Sequence, residues 1–353
     1  MIARSFKNAA AANLDVRTFE PREILFVLAG LIGDSVMSLP AIVEARRIWP
    51  NARITVFGKT QNRELIAACP FFDEFYECNA DPFSLRKSGE IKKLEKWLSE
   101  KDFDAAFILL GDQYAHLLAR AGLPIRVGVK GSPLEDCLTH TYDIGSPRTW
   151  GSSDRLNALR CLGYRVGETP SKLRASDEAR QTGLEKLAAL GLDAGKEYAV
   201  LHPFGSSRRQ WWKLEGTGLL AANLMERHDL QTVLIGGGNV SRIEKDAAVI
   251  DTTGRLTLPE LLAVIDGSRM AITTDSGPFH VAGALGRPIV GMFRSTRPEH
   301  ARRYETGTVI LGNNDRCMRV CGWDSCETEP CRQMENISVD EVTKSVGLIL
   351  KNL

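Results

Sequence analysis

Short apolar runs that stop at a glycine-bearing turn and give way to a helical pattern recur along this chain, and that rhythm restricts the fold more than any other feature. The first run is ILFVLA at 24–29. It is apolar throughout where a half-exposed strand would alternate, which predicts a strand buried on both faces. It stops at Gly30 and Gly33, and 38–49 reads as a helix closed by Pro50. RITVFG at 53–58 is the next strand, followed by a helix from Asn62. Ile91, Leu94, Trp97 and Leu98 recur at helical spacing, with the lysines between them as a solvated face. Further strands read at 105–110 and 125–129, then a polar stretch over 136–153 and a helix over 155–162. Residues 171–177 lack periodicity, and the series restarts with a helix over 178–190. Strands at 198–202, 232–235 and 270–274 are each followed by a glycine-bearing turn, and 288–293 adds a fourth. Alternation of short apolar strands with helices predicts parallel sheets. Two such series, broken around 165–177, predict an α/β chain of two Rossmann-like domains facing a central cleft. The segment 339–350 carries apolar residues at 339, 342, 346, 349 and 350, an amphipathic helix with Ser338 as N-cap and Glu341 completing a capping box.

Charge and composition exclude several classes. Of 353 residues, 45 are Lys or Arg and 44 are Asp or Glu, a formal charge of +1. Such a chain has no sequence-independent grip on polyanions, so nucleic acid is not an expected partner. A 43% hydrophobic content excludes disordered chains, and ordinary glycine and proline usage excludes collagen-like ones. The most apolar stretch, 24–33, is half the length of the about 20 residues that a spanning helix needs, so no transmembrane segment is expected. Residues 1–20 lack the apolar core of a signal peptide, and the expectation is a cytoplasmic protein.

Three strand-end loops carry candidate chemistry. The turn Gly30-Leu31-Ile32-Gly33-Asp34 follows the first strand, where ligands of such sheets bind. Its glycines permit close backbone approach, and Asp34 either accepts the proton of an attacking hydroxyl or caps the following helix. Asp275-Ser276-Gly277-Pro278-Phe279-His280 follows the strand at 271–274 and reads as a helix start. With its N–H groups, a hydroxyl and an imidazole, it forms a diphosphate cradle, or else a simple cap beside a packing histidine. The loop HPFGSSRRQW at 202–211 offers two hydroxyls, two guanidiniums and an aromatic, fit to clamp phosphate or to lie solvated on the surface. No GxxxxGK[ST], HExxH or GxSxG occurs. Gly216 to Ala221 fits GxGxxA, but polar residues precede it where a dinucleotide fold has a strand.

Taken together, GLIGDSVMSLPAIVEARRIWPNARITVFG, HPFGSSRRQW and DSGPFHVAGALGRPIVGMF, in that order, resemble glycosyltransferase family 9, the ADP-heptose heptosyltransferases, over most of 22–345. The resemblance implies a GT-B architecture with an acceptor domain over 1–175 and a nucleotide-sugar domain over 176–353. It implies an inverting transfer that needs no catalytic metal or other cofactor. Asp34 matches the family's general base. Asp275, Ser276, Gly277 and His280 match donor contacts. Gly205, Ser206 and Ser207 fall in the phosphate loop, and Leu256, after Gly254, falls where backbone meets the nucleotide. The implied partners are an ADP-sugar donor and an acceptor from the lipopolysaccharide inner core or a protein, with peripheral contact at the inner membrane. Two positions depart from the family pattern. Leu28 stands where most members carry Arg, and Arg209 stands for a Lys that neutralises the leaving diphosphate. Arg keeps the charge in a planar, bulkier group. Either departure is consistent with an unusual acceptor, a shifted donor preference or reduced activity.

Cys317, Cys321, Cys326 and Cys331 are spaced C-x3-C-x4-C-x4-C, loosely as in metal-binding knuckles. In a cytosolic chain four crowded thiols favour a structural zinc or iron over disulfides, or else they are four ordinary or partly oxidised cysteines in a loop. The resemblance adds that members which glycosylate proteins hold a metal in such a segment. Two other functions fit the same residues: a GT-B nucleotide-sugar epimerase, which would need an acid/base pair such as Asp34 with His280, and a non-catalytic nucleotide-sugar-binding protein with a decayed site.

Overall fold

The computed structural model describes residues 18–83, 88–144, 152–205, 208–238, 248–293, 308–311 and 332–353. The chain divides into two compact units, Met1–Lys172 and Leu173–Leu353. The first contains β1 (Glu23–Leu28), α1 (Ile32–Ile48), β2 (Arg53–Gly58), a 3-10 turn (Thr60–Asn62) leading into α2 (Arg63–Ala67), and β3 (Glu74–Glu77). It continues through α3 (Ser88–Glu100), β4 (Ala105–Leu110), α4 (Ala115–Arg120), β5 (Ile125–Val129), β6 (His140–Tyr142) and α5 (Ser152–Arg160). All six strands are parallel, in the order β3-β2-β1-β4-β5-β6. This is the doubly wound order, in which the chain builds outward from β1 on one side and then resumes beside β1 on the other. Residues Ile24 to Leu28 are all but sealed from solvent, as the continuous apolar run requires.

Helix α1 begins six residues before the 38–49 pattern. Ser35, in the added turns, and Ser38, at the start of the pattern, are buried, and each hydroxyl donates to a carbonyl one turn back, on Leu31 and Asp34. Pro40 lies inside this helix and has no N–H to offer the Val36 carbonyl. The buried Ser171 hydroxyl donates to that carbonyl instead, at 2.7 Å, so the helix continues without an orphaned acceptor.

The second unit runs α6 (Asp177–Ala189), β7 (Tyr198–His202), α7 (Thr217–His228), β8 (Gln231–Leu234), β9 (Val249–Asp251), α8 (Leu258–Asp266), β10 (Met270–Thr274), α9 (Gly277–Ala284), β11 (Ile289–Met292), β12 (Thr308–Leu311), α10 (Arg332–Glu335) and α11 (Val339–Leu350). Its parallel sheet, β12-β11-β10-β7-β8-β9, repeats the topology of the first. Ser338 and Glu341 form the capping box expected at the start of α11. Trp212, 1% exposed, packs in one core with Leu220, Leu224, Val342 and Val346 and donates its indole N–H to the Ile337 carbonyl. Gly216 opens α7 from a 3-10 turn, so its GxGxxA pattern has no strand before it.

Candidate active site

In a doubly wound sheet the loops diverge where the strand order reverses, leaving a crevice at the carboxyl ends of two neighbouring strands. In the first unit those strands are β1 and β4. The Ala29 N–H donates to the Leu110 carbonyl, and Gly111, in the left-handed region at φ +102°, brings its backbone against Ala29. A side chain at 111 would be strained and would crowd this junction. The turn after β1 is held from the other side by Asn62, which is wholly buried. Its amide nitrogen donates to the Gly30 carbonyl (2.8 Å) and to the Ser35 hydroxyl (2.9 Å).

Asp34 sits at the third position of α1, half-buried. The N-cap is Leu31, and no side chain caps the helix. Among the described residues the Asp34 carboxylate has no hydrogen-bond or ion-pair partner, so it is not consumed as a cap. Asp112, directly after β4, is a second half-buried carboxyl at this crevice, and burial pushes its pKa above the ordinary value despite the nearby Arg155. Leu28 is fully buried in β1 and belongs to the apolar core.

In the second unit the reversal lies between β7 and β10. The loop after β7 folds back on itself: the Trp212 N–H donates to Pro203, the Trp211 indole to Gly205, and the buried Gln210 amide to the Asp275 carbonyl after β10. The Thr274 hydroxyl donates to the Phe204 carbonyl, tying the two strand ends together. Gly205 is thus fixed beside the turn of Asp275 and Ser276. Arg209 lies on the 3-10 turn Arg208–Gln210, and its side chain, like Ser206 and Ser207, falls outside the described residues. The Arg208 guanidinium lies over the Trp211 ring, 5.2 Å from its centroid.

Helix α9 opens at Gly277 with Pro278 behind it and Ser276 as N-cap, yet the Ser276 side chain makes no capping bond. His280 is buried, its ring edge-on to Phe279. Beyond β8 and β9, Gly254 at φ +68° lies so close to the Gly238 Cα that a Cβ there would stand 2.7 Å from it. Its N–H donates to the Gly236 carbonyl, and Leu256 follows, half-buried, two residues on. The structure therefore brings Gly205, Leu256, Asp275, Ser276, Gly277 and His280 to one edge of the second sheet, and Asp34 to the same edge of the first. Cys317, Cys321, Cys326 and Cys331 lie outside the described residues. Among the described residues no cluster of metal-ligating side chains occurs.

The sequence reading did not single out Asn62 or Asp112, and it treated His202 only as part of a loop. At the end of β7 the His202 Nδ1 lies 3.1 Å from the Ser276 hydroxyl. Burial pushes this imidazole down to about 4 from an ordinary 6.5. A base whose folded pKa is depressed leaves stability untouched above pH 6.5. It lowers stability as pH falls from 6.5 toward 4, because only the unfolded chain then takes the proton. Between pH 7.5 and 4.5 the wild type should lose about 2 kcal/mol more than His202→Asn. Urea midpoints of both proteins at the two pH values check this, and parallel losses would refute it.

Two doubly wound units in one chain, each with its crevice at the carboxyl ends of its strands, are the architecture called GT-B. Residues 91–329 match the model of glycosyltransferase family 9 (heptosyltransferase), more than half of the chain, and this chain belongs to that family. The enzyme is accordingly a glycosyltransferase. The match begins after the Gly30–Asp34 turn. The lipopolysaccharide core heptosyltransferase OpsX of Haemophilus influenzae is 23% identical over 302 residues, 81% of this chain and 83% of that one. Among solved structures, the fold is similar to a family 9 glycosyl transferase from Veillonella parvula (TM-score 0.80, 19% identity, 95% and 98% of the two chains). It is also similar to the ADP-heptose heptosyltransferase II of Escherichia coli (0.75, 20%, 94% and 99%). A further likeness is to TibC, an iron-containing dodecameric glycosyltransferase of E. coli (0.59, 13%, 94% and 77%).

Proposed function

We propose that the protein transfers a heptose from ADP-heptose to a hydroxyl of the lipopolysaccharide inner core, with inversion at the anomeric carbon and Asp34 as general base. The observation that carries this reading is a half-buried carboxylate with no partner among the described residues, at the crevice of the first unit, together with an uncapped helix start at the crevice of the second. The first unit holds the acceptor and the second the nucleotide sugar. Asp34 takes the proton of the acceptor hydroxyl as its oxygen bonds to the anomeric carbon and the bond to the diphosphate breaks. Negative charge grows on the departing ADP. Arg209, the Gly277 N–H and the neighbouring loop of Gly205, Ser206 and Ser207 stabilise it, His280 and Asp275 line the sugar-nucleotide site, and Leu256 meets the nucleotide with its backbone. The donor and acceptor follow what the relatives' names say of those proteins. The family match favours transfer over the epimerase and non-catalytic readings.

No helix among the described residues is long and apolar enough to cross a membrane. The reading places the enzyme in the cytoplasm, meeting its lipid-linked acceptor at the inner membrane surface. Incubation with ADP-heptose should release ADP only when acceptor is present, with a heptose added to the acceptor mass. ADP release at an equal rate without acceptor, or none with any acceptor, would refute it.

A protein hydroxyl is the second acceptor reading, and the four clustered cysteines favour it. Four thiolates suit zinc or iron, so we assign Cys317, Cys321, Cys326 and Cys331 to a structural metal. About one equivalent of metal per chain should accompany protein purified without chelator. Less than about a tenth would end the assignment.

A further inference from the structure

We propose that His202 is a positioning residue of the donor site, fixing the Ser276 oxygen beside the N-terminus of α9 so that its O–H can turn to the diphosphate of the sugar nucleotide. The inference rests on the donor-site reading of Ser276. A serine at an N-cap ordinarily accepts from the N–H of the second or third helical residue. Here the second is Pro278, which has none, and the third, Phe279, donates to the Ser276 carbonyl at 3.1 Å. The Ser276 oxygen is turned elsewhere. Its proton goes to the Thr274 carbonyl at 3.1 Å, and a hydroxyl has only one. With that proton on Thr274, the His202 Nδ1, at 3.1 Å, is the donor to the Ser276 oxygen, and the imidazole is the Nδ1–H tautomer.

Three features of the site bear on this role. The Gly277 N–H, with no partner among the described residues, is left for an anion at the positive end of the helix. The serine oxygen is held in place by an outside donor, so its O–H is the only part free to rotate. That proton can leave Thr274 for a phosphate oxygen without the oxygen moving, which lowers the ordering cost of binding. Because β7 and β10 are adjacent in register, with His202 beside Thr273, the bond spans the strand reversal itself. Burial keeps the imidazole neutral, so it brings no charge of its own to the diphosphate.

The test compares His202→Phe, His202→Asn, Ser276→Ala and the His202→Phe/Ser276→Ala double variant by calorimetric titration with ADP and by donor and acceptor KM. Asparagine carries a donor near the Nδ1 position, whereas phenylalanine keeps the ring without it. His202→Phe should bind ADP about tenfold more weakly and raise the donor KM to match, leaving the acceptor KM unchanged. His202→Asn should recover to within about threefold, and the double variant should bind no more weakly than Ser276→Ala alone. If the wild type binds ADP and His202→Phe binds it equally, the inference fails and the donor reading stands. Independent, additive losses in the double variant also overturn it, because His202 would then act other than through Ser276. A wild type that binds no ADP would overturn the inference together with the donor reading.

Discussion

Asp34→Asn should lower kcat by at least a hundredfold while ADP affinity stays within twofold of wild type. Removal of a general base costs about 10²–10⁴ in rate, and the amide of Asn has the shape of the carboxylate without its basicity. The two readouts separate because Asp34 belongs to the first unit, whereas the nucleotide is assigned to the second. Stability should not confuse the result. The carboxylate caps no helix and has no partner among the described residues, so its loss should leave the urea midpoint in place. Single-turnover transfer from ADP-heptose and ADP titration on the same preparation check both halves. A variant that retains a third or more of wild-type turnover would remove Asp34 from the mechanism.

Trp212→Ala should destabilise the second unit by about 5 kcal/mol. Truncating a buried Trp costs about 3–5 kcal/mol in transfer and cavity terms. The Ile337 carbonyl also loses its indole donor, worth a further 1 kcal/mol or so when left buried. The loss falls where the chain end is tied down, since Trp212 packs with Leu220 and Leu224 of α7 and with Val342 and Val346 of α11. A domain is typically stable by about 5–15 kcal/mol, so this variant sits near the edge of folding. Urea unfolding followed by far-UV circular dichroism should show the midpoint of one transition lowered by about 2 M. Trp212→Phe keeps most of the packing and should lose about half as much. A loss under 1 kcal/mol for the alanine variant would mean that the core around α11 closes over the gap.

The strands legible in the sequence are those with neighbours on both sides. β1, β2, β4 and β5 of the first sheet and β7, β8, β10 and β11 of the second each read as a short apolar run, within a residue or so of the observed bounds. The four that escaped are β3, β6, β9 and β12, which are the edges of the two sheets. Their sequences, EFYE, HTY, VID and TVIL, are three or four residues long, and all four mix polar with apolar residues. An edge strand has one pairing partner and lies nearer solvent, so it needs no continuous apolar run to be stable. The start of α1 was hidden for a related reason. Ser35 and Ser38 look solvated in a string of letters but satisfy their hydroxyls on the helix itself.

The site divides in the same way. The glycine turn with Asp34, the small-residue loop at Gly205 and the helix start at Asp275 to Gly277 were legible because strand-end position and residue type are local properties. Asn62, Asp112 and His202 were not. Asn62 lies 32 residues from the carbonyl that it holds, and His202 lies 74 residues from the hydroxyl that it orients. The sequence by itself determined the alternation of strand and helix, the two parallel sheets and the loops at the carboxyl ends of their strands. Only the tertiary structure decided which strands close the sheets, that Asp34 is spared from capping and that His202 holds Ser276. Those outcomes depend on partners brought together by strand order, and a run of residues carries no record of what will lie across the crevice from it.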